Sequence, residues 1–155
     1  MPNGNPDFNE KELPALEAFF SPLADVLNGF GARYNLMLDR YYHQFPSWRF
    51  NFRHPQGGLA SLEVMKDSED SIKIHLYWWI DDYDKFTRSS RTGETPSYEV
   101  NGTDMAQILE EQLRRVLSWG LGEWSQFTTG FEQAWKSRGR RWLQEDVERY
   151  PLPKV

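Results

Sequence analysis

The sequence predicts an α+β fold, a two-layer sandwich in which helices from both ends of the chain cover one face of an antiparallel sheet. Apolar residues recur every three or four positions over residues 13–30, at every second position between about 33 and 81, and again every three or four positions after residue 103. This order of periods is typical of a fold whose helices and strands are segregated along the chain. A chain of 155 residues suffices for one domain with its own core.

The domain organisation follows from local composition. Residues 1–9 are rich in Asn, Pro and Gly and lack apolar periodicity, so we expect a flexible N-terminal arm. Residues 10–150 are expected to form the single α+β domain. Residues 151–155 contain two prolines that cannot continue a helix, which indicates a C-terminal tail that trails off.

The first element is predicted to be a short helix over residues 13–20, followed by a kink and a second helix over 22–29. Pro22 suits the first position of a helix capped by Ser21. Gly29 and Gly31 are expected to end this second helix.

Four strands are predicted next, with a short stretch over residues 98–100 as a candidate fifth. Short, turn-rich connections at 54–58 and 66–70 favour a meander. Residues 41–47 and 81–96 are expected to be loops that either serve the function or close the core. The alternating apolar positions are Tyr34, Leu36 and Leu38; Trp48, Phe50 and Phe52; Ala60, Leu62 and Val64; and Ile72, Ile74, Leu76, Trp78 and Ile80.

Helices are predicted after the sheet. Thr103 is expected to cap the first, whose apolar stripe is Met105, Ile108, Leu109, Leu113, Val116 and Leu117. A second is expected around Trp124 to Trp135, and a basic one containing Trp142 is expected to end near Tyr150.

Composition excludes several classes of protein. The chain has no cysteine, hence no disulfide framework and no thiolate chemistry. It has neither an apolar run of membrane-spanning length nor the pattern of a signal peptide, so we expect a cytoplasmic protein that does not engage membranes. The net charge of −5 disfavours nucleic acid as a partner. A basic cluster could instead dock on the acidic N-terminal helix; its residues are Lys136, Arg138, Arg140 and Arg141.

The second face of the predicted sheet is its most informative surface. It is expected to present Asn35, Met37, Asp39, Arg49, Asn51, Arg53, Ser61, Glu63, Lys73, His75, Tyr77 and Trp79. One interpretation is a solvated face with ion pairs from Arg49 or Arg53 to Glu63. Another is a binding face, because Tyr and Trp on a wet surface indicate a docking site. A third is burial under the C-terminal helix. The binding candidates are Met37, Arg49, Arg53, His75, Tyr77 and Trp79.

Candidates for chemistry are few. No nucleophile, phosphate-loop or dinucleotide motif occurs, and we expect no cofactor. His75, opposite Glu63, is the candidate general base with an orienting carboxylate, against the alternative of a surface histidine. Asp81, Asp82 and Asp84 could hold a divalent cation, but three acids alone more often form a solvated corner.

These observations favour a non-enzymatic protein-binding domain, of the small inhibitor, immunity-protein or chaperone type. Its expected partner is another protein with a basic or mixed surface, and it would act as a monomer or homodimer. An enzyme or small-ligand binder that uses His75 on the same face is the alternative. A third hypothesis is an RNA-binding module in which bases stack on Tyr77 and Trp79.

Overall fold

The structure, a computed structural model, describes residues 10–42, 46–54, 59–82, 87–101, 104–119 and 150–154, with side chains for all of these except 10, 79–82 and 87–91. The predicted fold class is confirmed: an open antiparallel sheet carries helices that precede and follow its strands. The helices are α1 (Leu13–Phe20), α2 (Ala24–Tyr34) and α3 (Met105–Ser118). The strands are β1 (Leu38–Tyr41), β2 (Ser47–Arg53), β3 (Leu59–Lys66), β4 (Ser71–Asp82), β5 (Thr87–Glu94) and β6 (Tyr98–Glu99).

The sheet is a meander in the order β1-β2-β3-β4-β5, and β6 pairs with the start of β4. Since β3 lies along the other side of β4, β5 and β6 share one edge of that strand. Thr95 closes the junction between them. Its N–H donates to the Ile74 carbonyl at 3.0 Å, and its hydroxyl oxygen accepts the Ile74 N–H at 3.0 Å.

The apolar face of the sheet points toward the helices, as predicted. Trp48, Phe50 and Phe52 are buried on β2, and their neighbours on β3 and β4 are fully buried. Phe20 of α1 stacks on Trp48 with ring centroids 5.1 Å apart, and Phe30 of α2 lies 5.4 Å from Phe50. Large rings therefore form the contact between the layers, each contributing much buried area.

The N-terminal helices differ from the prediction at their C-terminal end. α1 occupies the predicted residues, and a 3-10 turn over Ser21–Leu23 leads into α2. The expectation that Gly29 and Gly31 end the second helix is wrong, because α2 continues to Tyr34. Asn35 ends it by adopting the left-handed conformation at φ 55°, while the Leu36 N–H donates to the Gly31 carbonyl at 2.7 Å. Asn35 is therefore a helix-ending residue and not part of the polar strand face.

The predicted loop over 81–96 is also wrong over most of its length. β4 runs to Asp82 and β5 begins at Thr87, while residues 83–86 lie outside the described part of the chain. The predicted fifth strand near 98–100 is present as β6.

α3 packs with its predicted stripe inward. Met105, Leu109, Leu113 and Val116 are buried, with Ile108 and Leu117 at the margin. Its first residue follows Asp104, whose side chain makes no capping bond, and Thr103 lies outside the described residues. Trp119 directly follows α3, and its ring packs closely against Gly93 of β5.

Two residues of predicted connections contribute to the core, one of them in the segment 41–47. Tyr42 is buried and accepts a hydrogen bond from the Trp48 indole N–H at 2.9 Å. His54, expected in a hairpin turn, is buried: it stacks on Trp78 at 4.0 Å, and its Nε2 lies 2.9 Å from the Val116 carbonyl. Burial lowers the pKa of His54 to about 4, so the ring is neutral at physiological pH and Nε2–H donates to α3.

None of the helices in the described ranges is long and apolar enough to cross a membrane. The N-terminal arm, the predicted helices around Trp124 and Trp142 and the basic cluster lie outside the described residues.

Candidate functional site

A row of charged and titratable side chains crosses the second face of the sheet. Strand register places Asp39 opposite Arg49, Arg49 opposite Glu63, Glu63 opposite His75, and His75 opposite Glu94. Side chains of one strand alternate between faces, so residues directly opposite one another share a face. We call these five residues, one from each of β1 to β5, the charged row.

The centre of the charged row is an ion pair between a buried carboxylate and a partly exposed guanidinium. Arg49 Nε donates to Glu63 Oε2 at 2.7 Å, and Arg49 Nη2 donates to the same oxygen. The Glu63 side chain is 4% exposed and that of Arg49 is 29% exposed. The guanidinium also lies 4.3 Å from the centroid of the Tyr41 ring. Its orientation is therefore held by a carboxylate and by an aromatic face together.

His75 lies beside this pair on β4. Its Nδ1 is 2.8 Å from the Tyr77 hydroxyl oxygen. Its Nε2 is buried and lies 3.4 Å from Glu94 Oε2, without the geometry of a hydrogen bond. The carboxylate that faces the imidazole is thus that of Glu94, since Glu63 is engaged by Arg49.

Electrostatics fix the protonation of the neighbours of His75. Burial raises the pKa of Tyr77, and the charge of Glu63 raises it further against an opposing effect of Arg49, so the phenol stays protonated at neutral pH. Lys73 Nζ lies 2.9 Å from Glu94 Oε1 and 3.7 Å from Asp67 Oδ1. The hydrogen bond between Lys73 and Glu94 raises the pKa of Lys73 and lowers that of Glu94, which keeps both groups charged.

A second set of polar residues joins β1, β2 and β3 on the same face. Asn51 Nδ2 donates to Asp39 Oδ2 at 2.8 Å, and Ser61 Oγ donates to Asn51 Oδ1 at 2.8 Å. Asn51 and Ser61 are buried. The centre of this face therefore consists of satisfied buried polar groups, and Arg49, His75 and Tyr77 are only partly exposed around it.

The structure brings some of the predicted binding residues together. Arg49, His75 and Tyr77 lie on this face within the network described above. Arg53 is half-buried at the end of β2. Met37 directly precedes β1. Its large apolar side chain is 48% exposed. Trp79 pairs in register with Leu59 and Ser90, and its side chain lies outside the description.

The predicted cation ligands cannot be placed as a group. Asp81 and Asp82 end β4 with side chains outside the description, and Asp84 is not among the described residues. Within the described ranges, no group of three or more His, Asp or Glu residues could hold a metal ion.

Sequence reasoning missed two contributors to the site. Glu94 falls within the predicted loop 81–96, because β5 has no alternating apolar residues, and Tyr41 falls within the predicted loop 41–47. The length of β4 is an indirect indication of β5. A 12-residue strand at the edge of a sheet would leave many backbone N–H and C=O groups unpaired, which favours a further strand beside it.

Comparison of this chain with protein families, with curated proteins and with solved structures finds no match. The functional conclusion therefore depends on the site alone.

Proposed function

We propose that this protein is a non-enzymatic protein-binding domain, of the small inhibitor, immunity-protein or chaperone type, and that its polar sheet face with the adjoining loops is the docking surface. The observation that carries the proposal is the charged row, which places groups of alternating character in register across five strands. The groups of the row that remain accessible, Arg49 in part and Glu94, can specify a partner by matching its charges.

The rigidity of the row supports a role in recognition. Arg49 is held between Glu63 and Tyr41, and Asn51 joins Asp39 to Ser61. Side chains that are already fixed lose little conformational entropy when a partner docks. Partly exposed Arg and Tyr side chains are also the types that contribute most at protein interfaces.

The charge of the face favours a basic or mixed partner surface. Arg49 directs its guanidinium to buried Glu63, so much of its charge is compensated within the protein. At the β5 margin Glu94 remains 47% exposed. The whole chain carries a net charge of −5, which would speed its encounter with a basic protein. We place this binding in the cytoplasm, without a cofactor, and with the domain as a monomer or homodimer.

The surroundings of His75 support binding over proton transfer. One ring nitrogen is within hydrogen-bond distance of Tyr77, and the other is buried against Glu94. A general base needs a ring nitrogen that a substrate proton can reach.

The test compares capture of a partner by the wild type and by matched variants. Tyr77→Ala and Trp79→Ala should each weaken the captured complex by about 2 kcal/mol, or roughly 30-fold in Kd, measured by calorimetry on the purified pair. Glu111→Ser, at an exposed position of α3, should leave Kd unchanged. Equal affinity for wild type and Tyr77→Ala, or equal losses in Tyr77→Ala and Glu111→Ser, would contradict the proposal.

A second candidate function is an acid–base or small-ligand site at His75. It is favoured by the order Glu94, His75, Tyr77, in which the imidazole lies between a carboxylate and a protonated phenol. If His75 transfers a proton, His75→Ala and His75→Gln should both abolish turnover while the thermal unfolding midpoint is retained. A graded loss of partner affinity in the same two variants would instead favour the docking surface.

A further inference from the structure

β2 extends beyond its neighbour β1 at one end. β1 pairs with residues 47–50, and β2 continues through Arg53. The chain before β1 does not follow β2 further, because Asn35 adopts the left-handed conformation and Leu36 is hydrogen-bonded back to Gly31. The outer edge of β2 over residues 51–53 therefore has no partner among the described strands.

The C-terminal tail meets β2 at this edge. The Arg53 N–H donates to the Tyr150 carbonyl at 3.2 Å, while Arg53 pairs on its other side with Leu59 of β3. Pro151, Leu152 and Pro153 follow and are all half-buried, whereas Lys154 is exposed. Residues 151–154 are not helical, and the half-buried state of Leu152 indicates that this side chain packs against the domain.

The tail has the chemistry of a segment that ends a sheet. Tyr150 and Leu152 each precede a proline, which disfavours helical backbone and favours extended backbone. Pro151 and Pro153 have no N–H, so the segment can accept a hydrogen bond from β2 but offers few donors to a further strand. Uncovered strand edges are sites where other chains add strands.

We infer that the outer edge of β2 over residues 51–53 is a binding site for an extended, proline-containing peptide segment, and that residues 150–154 of the same chain occupy it. The site uses backbone groups at the edge of β2 and not the side chains of the charged row, so its test is independent of the test of the proposed function. A segment of similar chemistry from another protein would have to displace the tail before it could bind.

The experiment measures amide hydrogen exchange by NMR in full-length variants. Leu152→Asp places a charge at a half-buried position of the tail, and Lys154→Asp places the same charge at the exposed position two residues later. We expect the Arg53 amide to exchange roughly tenfold faster in Leu152→Asp than in the wild type and at an unchanged rate in Lys154→Asp. The Leu62 amide, in the middle of β3, should keep its rate in both variants. Leu152→Ser replaces Leu152→Asp if the charged variant does not fold.

A peptide of residues 150–155 added in trans completes the test. It should slow exchange of the Arg53 amide in Leu152→Asp and have no effect on the wild type, whose site is filled. An unchanged Arg53 rate in the Leu152 variants, or equal effects of the peptide on wild type and variant, would overturn the inference.

Discussion

Gly29 and Gly31 lie two residues apart in α2 but have different surroundings. A Cβ added at Gly31 would lie 2.9 Å from the Leu36 carbonyl oxygen and 3.1 Å from Phe50 Cε1, whereas one added at Gly29 would meet no atom within 4 Å. We expect Gly31→Ala to lower the free energy of unfolding by about 1–3 kcal/mol, because backbone cannot yield to the new methyl group. Gly29→Ala should raise it by about 0.5–1 kcal/mol, since alanine favours the helix.

Urea denaturation of the two variants checks this pair. A Gly31→Ala protein as stable as the wild type would show that the Leu36 carbonyl does not approach α2 as closely as described.

His54 makes the free energy of unfolding depend on pH between about 4 and 6.5. Its pKa is about 4 in the folded protein, against an ordinary value of 6.5. Because the folded value is the lower one, the unfolded chain binds the proton first, and stability falls as pH decreases from about 6.5 to 4. The loss attributable to this residue should approach about 3 kcal/mol at the acidic end of the window.

The comparison for His54 uses His54→Gln, which retains a side-chain N–H donor for the Val116 carbonyl but does not titrate in this range. Urea denaturation between pH 4.5 and 7 should show a shallower decline for the variant than for the wild type. Parallel declines would mean that other groups cause the pH dependence.

At the scale of elements, the Arg49–Glu63 ion pair joins β2 to the buried carboxylate of Glu63 on β3. Arg49→Met would leave the carboxylate of Glu63 buried without its partner, so we expect a loss of about 3 kcal/mol in the free energy of unfolding. The double variant Arg49→Met with Glu63→Leu removes both charges and should recover most of this loss. A double-mutant cycle measures the coupling, and additive effects would exclude a direct interaction.

The elements that sequence could predict are those whose pattern arises from burial on one face. β2, β3 and β4 alternate because one face of each is packed under helices, and that alternation also fixed which residues share the polar face. β5 has no such pattern, since its residues are Thr, Arg, Ser, Gly and Glu. The end of α2 is missed because neither of its glycines ends the helix: Gly31 packs closely against Leu36 and Phe50, Gly29 faces open space, and Asn35 supplies the left-handed turn.

The candidate site was predictable in part of its membership, without Glu94 and Tyr41, and not in its pairings. Arg49, Glu63, His75 and Tyr77 follow from the alternation alone. Which carboxylate faces His75 depends on β5, and the stacking of Arg49 on Tyr41 depends on where β1 ends. These are contacts between strands, and a single sequence does not encode them as a local pattern.

At the scale of the whole molecule, the sheet separates an apolar core from a polar face, and two adjacent residues of β4 lie on opposite sides of it. Trp78 is fully buried against the helices, whereas Tyr77 is half-buried on the polar face. We expect Trp78→Ala to lower the free energy of unfolding by about 3–5 kcal/mol. Tyr77→Ala should cost clearly less. Thermal and urea denaturation of both variants test this, and equal losses would show that the second face is as much a core as the first.

Thr95 has a consequence for how the far edge of the sheet holds together. Thr95 lies between β5 and β6, the two strands that pair with this edge of β4. Its hydroxyl oxygen accepts the Ile74 N–H, as a backbone carbonyl would in a continuous strand, so this N–H remains hydrogen-bonded. The Thr95 side chain thereby keeps the hydrogen bonding along this edge of β4 continuous from β5 to β6. Thr95→Val keeps the shape of the side chain and removes the hydrogen-bond acceptor. The group left without a partner would then be the Ile74 N–H of β4, and not a group in the segment that contains residue 95.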